Sequence, residues 1–388
     1  MKTEFEYIVI GLGGLGSAAT LWLSRRAGRE VLGIEQFELG HPHGESQDHS
    51  RIIRLSYHTP EYVRLAQQAY RAWSVVEQES AEKLIIKTGG LDLWPPNAAI
   101  PISDYTSSLQ SCGIPFEILD SREIMRRFPQ FHLNSNDTGL FQSEGGIAAA
   151  ARCTHAHLRL AREYGATIRE HSPVKDIRRS AEEFVVSTGN QTFRCRRLLI
   201  AAGPWSNHML SFFGMKLPLT ITQEQVVYFS SPHLIQFLPD RFPIWIWMDE
   251  PSFYGFPAFG EPAIKIGQDV GGREVTPETR NYEPDQEALE RVQSFLERYI
   301  PSAAGNIHYV KTCLYTLTPD RDFVIDELPN HPGCFIAIGA GHAFKFASLI
   351  GKLLSEMAID DSRKMDLSQF SIQREILTMA NPPKNFMV

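Results

Sequence analysis

Residues 5–16 read FEYIVIGLGGLG, and the reading of this stretch decides the fold. Phe5 to Ile10 is an apolar run rich in β-formers, as expected of a strand buried on both faces. It ends in Gly11, Gly13, Gly14 and Gly16, and the run from Ser17 to Arg26 that follows is helix-forming. Val31 to Ile34 then reads as a second strand that closes at Glu35. Strand, G-x-G-x-x-G, helix, strand and terminal acid together define a dinucleotide site. Gly11 permits the tight turn, Gly13 lets the backbone approach a pyrophosphate, and Gly16 lets helix and strand pack closely. The helix N-terminus supplies free N–H groups to the phosphates. Glu35 stands where an acid accepts ribose hydroxyls, and its charge disfavours the 2′-phosphate of NADP. The motif does not separate NAD from FAD.

A chain of 388 residues suggests two domains. Its formal charge of −7 argues against a nucleic-acid partner, whose phosphates a basic stripe would have to neutralise. No apolar run is long enough to span a bilayer, so no membrane partner is expected. Five cysteines without C-x-x-C spacing make a disulfide framework or a zinc site unexpected and point to a reducing compartment, the cytoplasm. His41, His43 and His49 lie in a polar loop read as crossing the cofactor rather than as a metal site.

Further along, Ser50-Arg51-Ile52-Ile53-Arg54 sets both arginines on one side if it forms a helical turn. Glu61 to Glu79 is an amphipathic helix, and Gly146 to Tyr164 is read as one long helix. Leu198 to Ala202 is a buried strand ending at Gly203, a suitable point for close approach to a ligand. Residues 217 to about 272 are dense in aromatics and prolines and read as antiparallel strands of a substrate-facing sheet. Cys334 to Ile338 is a late strand, after which Gly339-Ala340-Gly341 opens a helix from His342 to Ala358 and aims a second N-terminus at a ligand.

Six segments occurring in order now carry a resemblance. They are the glycine fingerprint, residues 50–54, Tyr254-Gly255-Phe256-Pro257, Lys265-Ile266-Gly267, Lys311-Thr312-Cys313-Leu314-Tyr315 and Gly341-His342-Ala343-Phe344-Lys345-Phe346. Together they resemble the monomeric sarcosine oxidase and N-methyltryptophan oxidase family of flavoenzymes. The resemblance implies an α/β fold with a Rossmann-like FAD-binding domain (residues 1–88, 140–216 and 310–388). An inserted antiparallel-sheet substrate domain, α+β in character, would comprise 89–139 and 217–309. It implies FAD joined by a thioether to Cys313, whose thiolate Lys311 or Arg321 could favour. By residue type alone, Cys313 would read as a buried free cysteine. Gly11, Gly13, Gly14, Gly16, Glu35, Ser50, Arg51, Gly203, Gly341, His342 and Lys345 complete the expected cofactor contacts.

The resemblance also makes Arg54 and Lys345 the clamp on a substrate carboxylate, a planar fork and a point charge. Lys265 becomes the cation that promotes reaction with O₂. Tyr254 and Tyr315 fall around the substrate pocket, and Trp245 and Trp247 either cap it or pack across strands. Two departures stand out. Asp269 replaces a family histidine, and Glu45-Ser46-Gln47-Asp48-His49 replaces a His-rich run. Asp269 would bind a cation or act as a base, which points to a substrate other than sarcosine. The expected activity is FAD-dependent oxidation of a secondary amino acid, N-methyl or cyclic, by a monomer that reduces O₂ to H₂O₂. The alternatives are a biosynthetic oxidase or dehydrogenase of a larger N-alkyl amino acid or imino acid, a flavin-binding module without catalysis, and an NAD-dependent dehydrogenase.

Overall fold

Strand Glu4–Ile10 lies inside a parallel layer, between Val31–Ile34 on one side and Thr192–Ile200 on the other. Its Ile8 and Val9 point to opposite faces and both are fully buried, as a two-sided apolar run requires. This computed structural model describes residues 2–96, 98–180 and 182–385. Thr167–Arg169 extends the parallel layer beyond Val31–Ile34, and Cys334–Ile338 pairs with the end of Thr192–Ile200. The antiparallel strands Val174–Ser180, Glu183–Thr188 and Val324–Glu327 complete an eight-stranded sheet. Helix Gly14–Ala27 packs on Ala347–Asp360 and Ala150–Glu163. A Cβ at Gly16 would stand 1.7 Å from the Gly11 carbonyl oxygen, so only glycine allows this helix to leave the strand so closely. Gly11 itself has φ +86°, and a Cβ there would meet the Ala201 carbonyl oxygen at 2.5 Å.

A second sheet contains nine strands. Its run is Arg273–Glu274, Thr220–Phe229, Ile264–Asp269, Ser252–Phe256, Ile244–Trp247, Gly90–Trp94, Thr138–Gln142 and Glu117–Asp120, with Ile307–Leu317 also on Thr220–Phe229. All pairings are antiparallel except Ile244–Trp247 with Gly90–Trp94. Strands Thr138–Gln142 and Ile307–Leu317 thus carry this sheet beyond the ranges 89–139 and 217–309. Helix Gln286–Tyr299 covers its back. Asp285 caps the helix by accepting the Ala288 N–H at 3.0 Å, and Leu289, Val292, Phe295 and Leu296 form the buried stripe. Phe295 stacks on Trp245 and Phe253. Trp245 and Trp247 therefore belong to this core, not to the rim of a pocket.

The α/β class with a second, largely antiparallel sheet agrees with the sequence expectation. Several local readings do not. Arg51–Ile53 is a strand rather than a helical turn, in a small sheet with Gly146–Ala148 and Ile85–Lys87. The long helix expected from Gly146 begins instead at Ala150, because Gly146–Ala148 is paired on both sides. A Cβ at Gly146 would lie 2.1 Å from the Ile86 carbonyl oxygen, an approach that a helix would prevent. The late helix spans Ala347–Asp360 and is preceded by a 3₁₀ turn, Ala343–Phe346. Helix Ile102–Ser111 has no counterpart in the sequence reading.

Candidate active site

Where the two sheets meet, a cleft holds two adjoining cavities of about 440 and 170 Å³ that share Gly14, Leu15, Glu45, Ser46, Gln47 and Gly339 as walls. The larger follows the glycine turn and is bordered by Gly11, Gly13, Glu35 and Gly203. Glu35 is buried. Its Oε2 accepts the Leu12 N–H at 2.8 Å, and Oε1 accepts those of Gln36 and Phe37 at 2.8 and 3.2 Å. Burial opposes its ionisation, but hydrogen bonds from His41 and these amides prevail and hold its pKa below the ordinary value. The Gly14 N–H donates to Ser46 Oγ at 2.8 Å. A Cβ at Gly13 would stand 2.9 Å from that same oxygen, so the wall is flat where a pyrophosphate would lie. Gly16 and Ser50 do not line either cavity; both lie behind the walls.

The smaller cavity brings together Arg51 and Arg54, Tyr254, Lys265 and Asp269, Cys313 and Tyr315, and Gly341 to Lys345. Ile246, Met248, Phe256 and Phe344 supply its apolar surface. Gly341 has φ +79°, and a Cβ there would strike the Tyr315 ring at 2.8 Å, so glycine brings the late turn against this tyrosine. The turn also orients His342, whose ring nitrogen meets the Arg321 carbonyl at 2.8 Å.

The ionic groups are arranged in pairs. Arg54 is buried, 3.4 Å from Asp92 and over the Tyr57 ring, and its Nε has no hydrogen-bond partner among the described residues. Lys345 Nζ donates to the His342 carbonyl at 3.0 Å. Burial and the neighbouring Arg54 charge bring its pKa down to about 7. Asp269 stands 3.5 Å from Arg321. Lys265 is 3% exposed and so does not face solvent, and its ammonium lies 2.5 Å from Asp48 Oδ2. Cys313 borders the cavity, and burial pushes its thiol up to about 11 against the lowering influence of Arg51 and, more weakly, Lys265. Arg51 is the cation that acts most strongly on this thiol, and Lys311, of the two cations expected from the sequence, also interacts with it.

Asp48, Asp92 and Glu45 are the ionisable residues that sequence reasoning missed. Asp92 carried a signal, a lone acid inside the apolar run Leu91-Asp92-Leu93-Trp94, which implies a buried counter-ion. Glu45 borders both cavities, and burial raises its pKa to about 7 although Thr316 donates to it. Asp48 lies in the run Glu45-Ser46-Gln47-Asp48-His49, whose departure from the family pattern is the one signal there, but nothing local marks it as a buried counter-ion.

A glycine-turn dinucleotide cleft that opens into a cavity lined with cations beneath a second sheet defines a nucleotide-dependent oxidoreductase. The chain belongs to the FAD dependent oxidoreductase family, whose profile matches residues 6–357. It is 32% identical over 386 residues to the monomeric sarcosine oxidase of Arthrobacter sp. strain TE1826, covering 97% of this chain and 98% of that protein. It is 28% identical to the N-methyl-L-tryptophan oxidase of Salmonella heidelberg strain SL476, covering 96% and 99%. The open form of NikD, described as an unusual amino acid oxidase essential for nikkomycin biosynthesis, superposes with TM-score 0.87 at 25% identity, over 98% of this chain and 100% of that one. L-proline dehydrogenase from P. horikoshii shares the fold, with TM-score 0.86 at 22% identity over 96% and 98% of the chains. The resemblance drawn from the motifs is confirmed, and the protein is an FAD-dependent enzyme. The buried Glu35 carboxylate, the flat wall at Gly13 and the two adjoining cavities fit that cofactor.

Proposed function

We propose that the enzyme oxidises the C–N bond of a secondary amino acid, N-methyl or cyclic, at the smaller cavity. The observation that carries this reading is the meeting of Arg54 and Lys345 on a cavity that continues the dinucleotide cleft past Cys313. When bound, FAD would supply the hydride acceptor for the carbon next to nitrogen and, with O₂ as electron acceptor, the chemistry that gives H₂O₂ and an imine that hydrolyses. Arg54, held by Asp92, and Lys345 grip the substrate carboxylate and fix the reacting carbon's position. A carboxylate beside Lys345 restores its charge, so binding and protonation support each other. Tyr254 and Tyr315 wall the pocket and, with Phe256 and Met248, exclude water from it. Lys265 supplies a fixed positive charge where O₂ is reduced.

Cys313 is the proposed thioether attachment to FAD, with Arg51 favouring the thiolate that must form first. Gly11, Gly13, Gly14, Glu35, Gly203 and the Gly341–His342 turn hold the rest of it. Asp269 favours a substrate more basic or bulkier than sarcosine, because a carboxylate on the wall accepts a proton from the amine or pairs with a cationic group. The enzyme acts as a monomer in the cytoplasm. Among the described residues no helix is long and apolar enough to cross a membrane.

The experiment is anaerobic reduction of the purified yellow protein by a panel of N-methyl and cyclic amino acids, followed by admission of O₂. Bleaching by carboxylated secondary amines and not by their decarboxylated analogues is expected. Equal bleaching by both would remove the clamp. Acid precipitation should leave the flavin on the Cys313 peptide, and complete release would refute the thioether.

A further inference from the structure

We propose that Asp48 is the positioning residue of the oxygen-reacting site, a buried counter-ion that fixes the ammonium of Lys265 in place and keeps it charged. The inference rests on the proposed role of Lys265 and adds a partner that the family motif does not contain. Both side chains are 3% exposed, and Lys265 Nζ lies 2.5 Å from Asp48 Oδ2. The ammonium also donates to the Ser50 carbonyl at 2.9 Å, approaches Ser50 Oγ at 3.4 Å, and sits over the Phe256 ring at 4.7 Å. Its three hydrogens are thereby directed to protein oxygens, so it acts on the cavity through its charge and not by donating a hydrogen bond.

Asp48 is built in as firmly. Its Oδ1 accepts the Tyr228 hydroxyl at 2.8 Å and the His49 N–H at 2.8 Å, and its carbonyl accepts the Ala151 N–H at 3.0 Å. Tyr228 is stacked in turn on Tyr309. Two further cations face the carboxylate, Arg51 at 3.6 Å and Lys311 at 3.8 Å. Every element packed against Lys265 thus presents either a cation (Arg51, Lys311), a neutral acid or thiol (Tyr228, Cys313), an aromatic or hydroxyl group (Phe256, Ser50), or Asp48. Asp48 alone among them is anionic. Without it, Lys265 would be buried beside two like charges and would lose its proton at neutral pH.

The test uses holoprotein labelled with carbon-13 at lysine Cε, whose NMR shift reports the charge of each amine, with Lys265 assigned by the signal missing from Lys265→Met. The wild-type Lys265 signal should titrate at about pH 8. In Asp48→Asn its midpoint should fall by about one pH unit or more. In Lys311→Met, which removes a competing cation at the partly exposed edge of the cluster, it should rise. An unmoved midpoint in Asp48→Asn overturns the proposal. Should that variant not fold, an unmoved or lowered midpoint in Lys311→Met overturns it instead. Stopped-flow reoxidation by O₂ should slow as pH rises through the same midpoint, and the inflection should move with it in each variant. NMR midpoints that move while reoxidation does not would uphold the ion pair and refute the oxygen role assigned to Lys265.

Discussion

Replacing Arg54 by Met tests two roles of one side chain, the ion pair with Asp92 and the proposed grip on the substrate carboxylate. Arg54 is buried and its charge is matched by Asp92 at 3.4 Å. Burial already raises the Asp92 pKa, and Arg54 is the largest influence acting against that. Removing the guanidinium leaves a carboxylate 1% exposed without its counter-ion. Breaking one side of a buried pair costs about 3–5 kcal/mol, so the melting temperature should fall markedly. Loss of a charge-assisted hydrogen bond to the substrate carboxylate costs about 1.5–3 kcal/mol, which is a rise in KM of roughly 10- to 150-fold. The double variant Arg54→Met/Asp92→Leu removes both charges and should recover most of the stability while keeping the high KM. Thermal melts and steady-state kinetics on one carboxylated substrate measure the two effects separately. A KM within twofold of wild type in Arg54→Met would refute the clamp. A double variant as unstable as the single one would refute the account of Asp92.

Lys345 has its pKa lowered to about 7 by burial and by Arg54, so KM for a carboxylated substrate should rise as pH increases through that value, and Lys345→Met should abolish the inflection. The same depression means that the folded state binds fewer protons than the unfolded chain between pH 7 and the ordinary lysine range. Stability should therefore increase with pH across that window, less so in Lys345→Met. Glu45 and Glu224 are both raised to about 7 by burial, so each costs stability as pH rises from the ordinary glutamate range through 7. Glu45→Gln and Glu224→Gln should each flatten that decline in melts recorded against pH. Gly16→Ala forces a Cβ to 1.7 Å from the Gly11 carbonyl oxygen, so the variant should fail to retain FAD, as read by its absorbance.

What the sequence made legible depended on how far apart the interacting residues lie. Residues 5–35 could be read because strand, glycine turn, helix and acid are local, and each constrains the next. Cys334–Ile338 was bounded correctly for a similar reason, as a continuous apolar run ending in glycine. Gly146–Ala148 misled because GIAAAA has strong helix propensity, and only pairing with two strands from elsewhere turns its first residues extended. The ion pairs were illegible because their partners are remote. The Tyr228–Asp48 hydrogen bond spans 180 positions and Lys265–Ser50 spans 215. Motif resemblance brought Arg54, Lys265, Asp269, Cys313, Tyr315 and Lys345 to one cavity's lining, but it could not tell which carboxylate answers which cation.

That pairing bears on what the cavity will accept. Asp48, Asp92 and Asp269 each have a cation within ion-pair distance, in Lys265, Arg54 and Arg321 respectively. Lys345 has none among the described residues, and its ammonium donates to a carbonyl instead. It is also the cation whose charge is most easily lost near neutrality, with its pKa down to about 7. An anion entering the cavity meets Arg51, Arg54, Lys265 and Lys311, each with a carboxylate within ion-pair distance, and Lys345, which has none among the described residues. Its strongest gain is therefore at Lys345, where it removes repulsion with Arg54 as well as adding attraction. A neutral amine gains nothing there and leaves Lys345 only partly protonated at neutral pH. On the proposed clamp, Lys345 is therefore the cation at which an amino acid is distinguished from a simple amine.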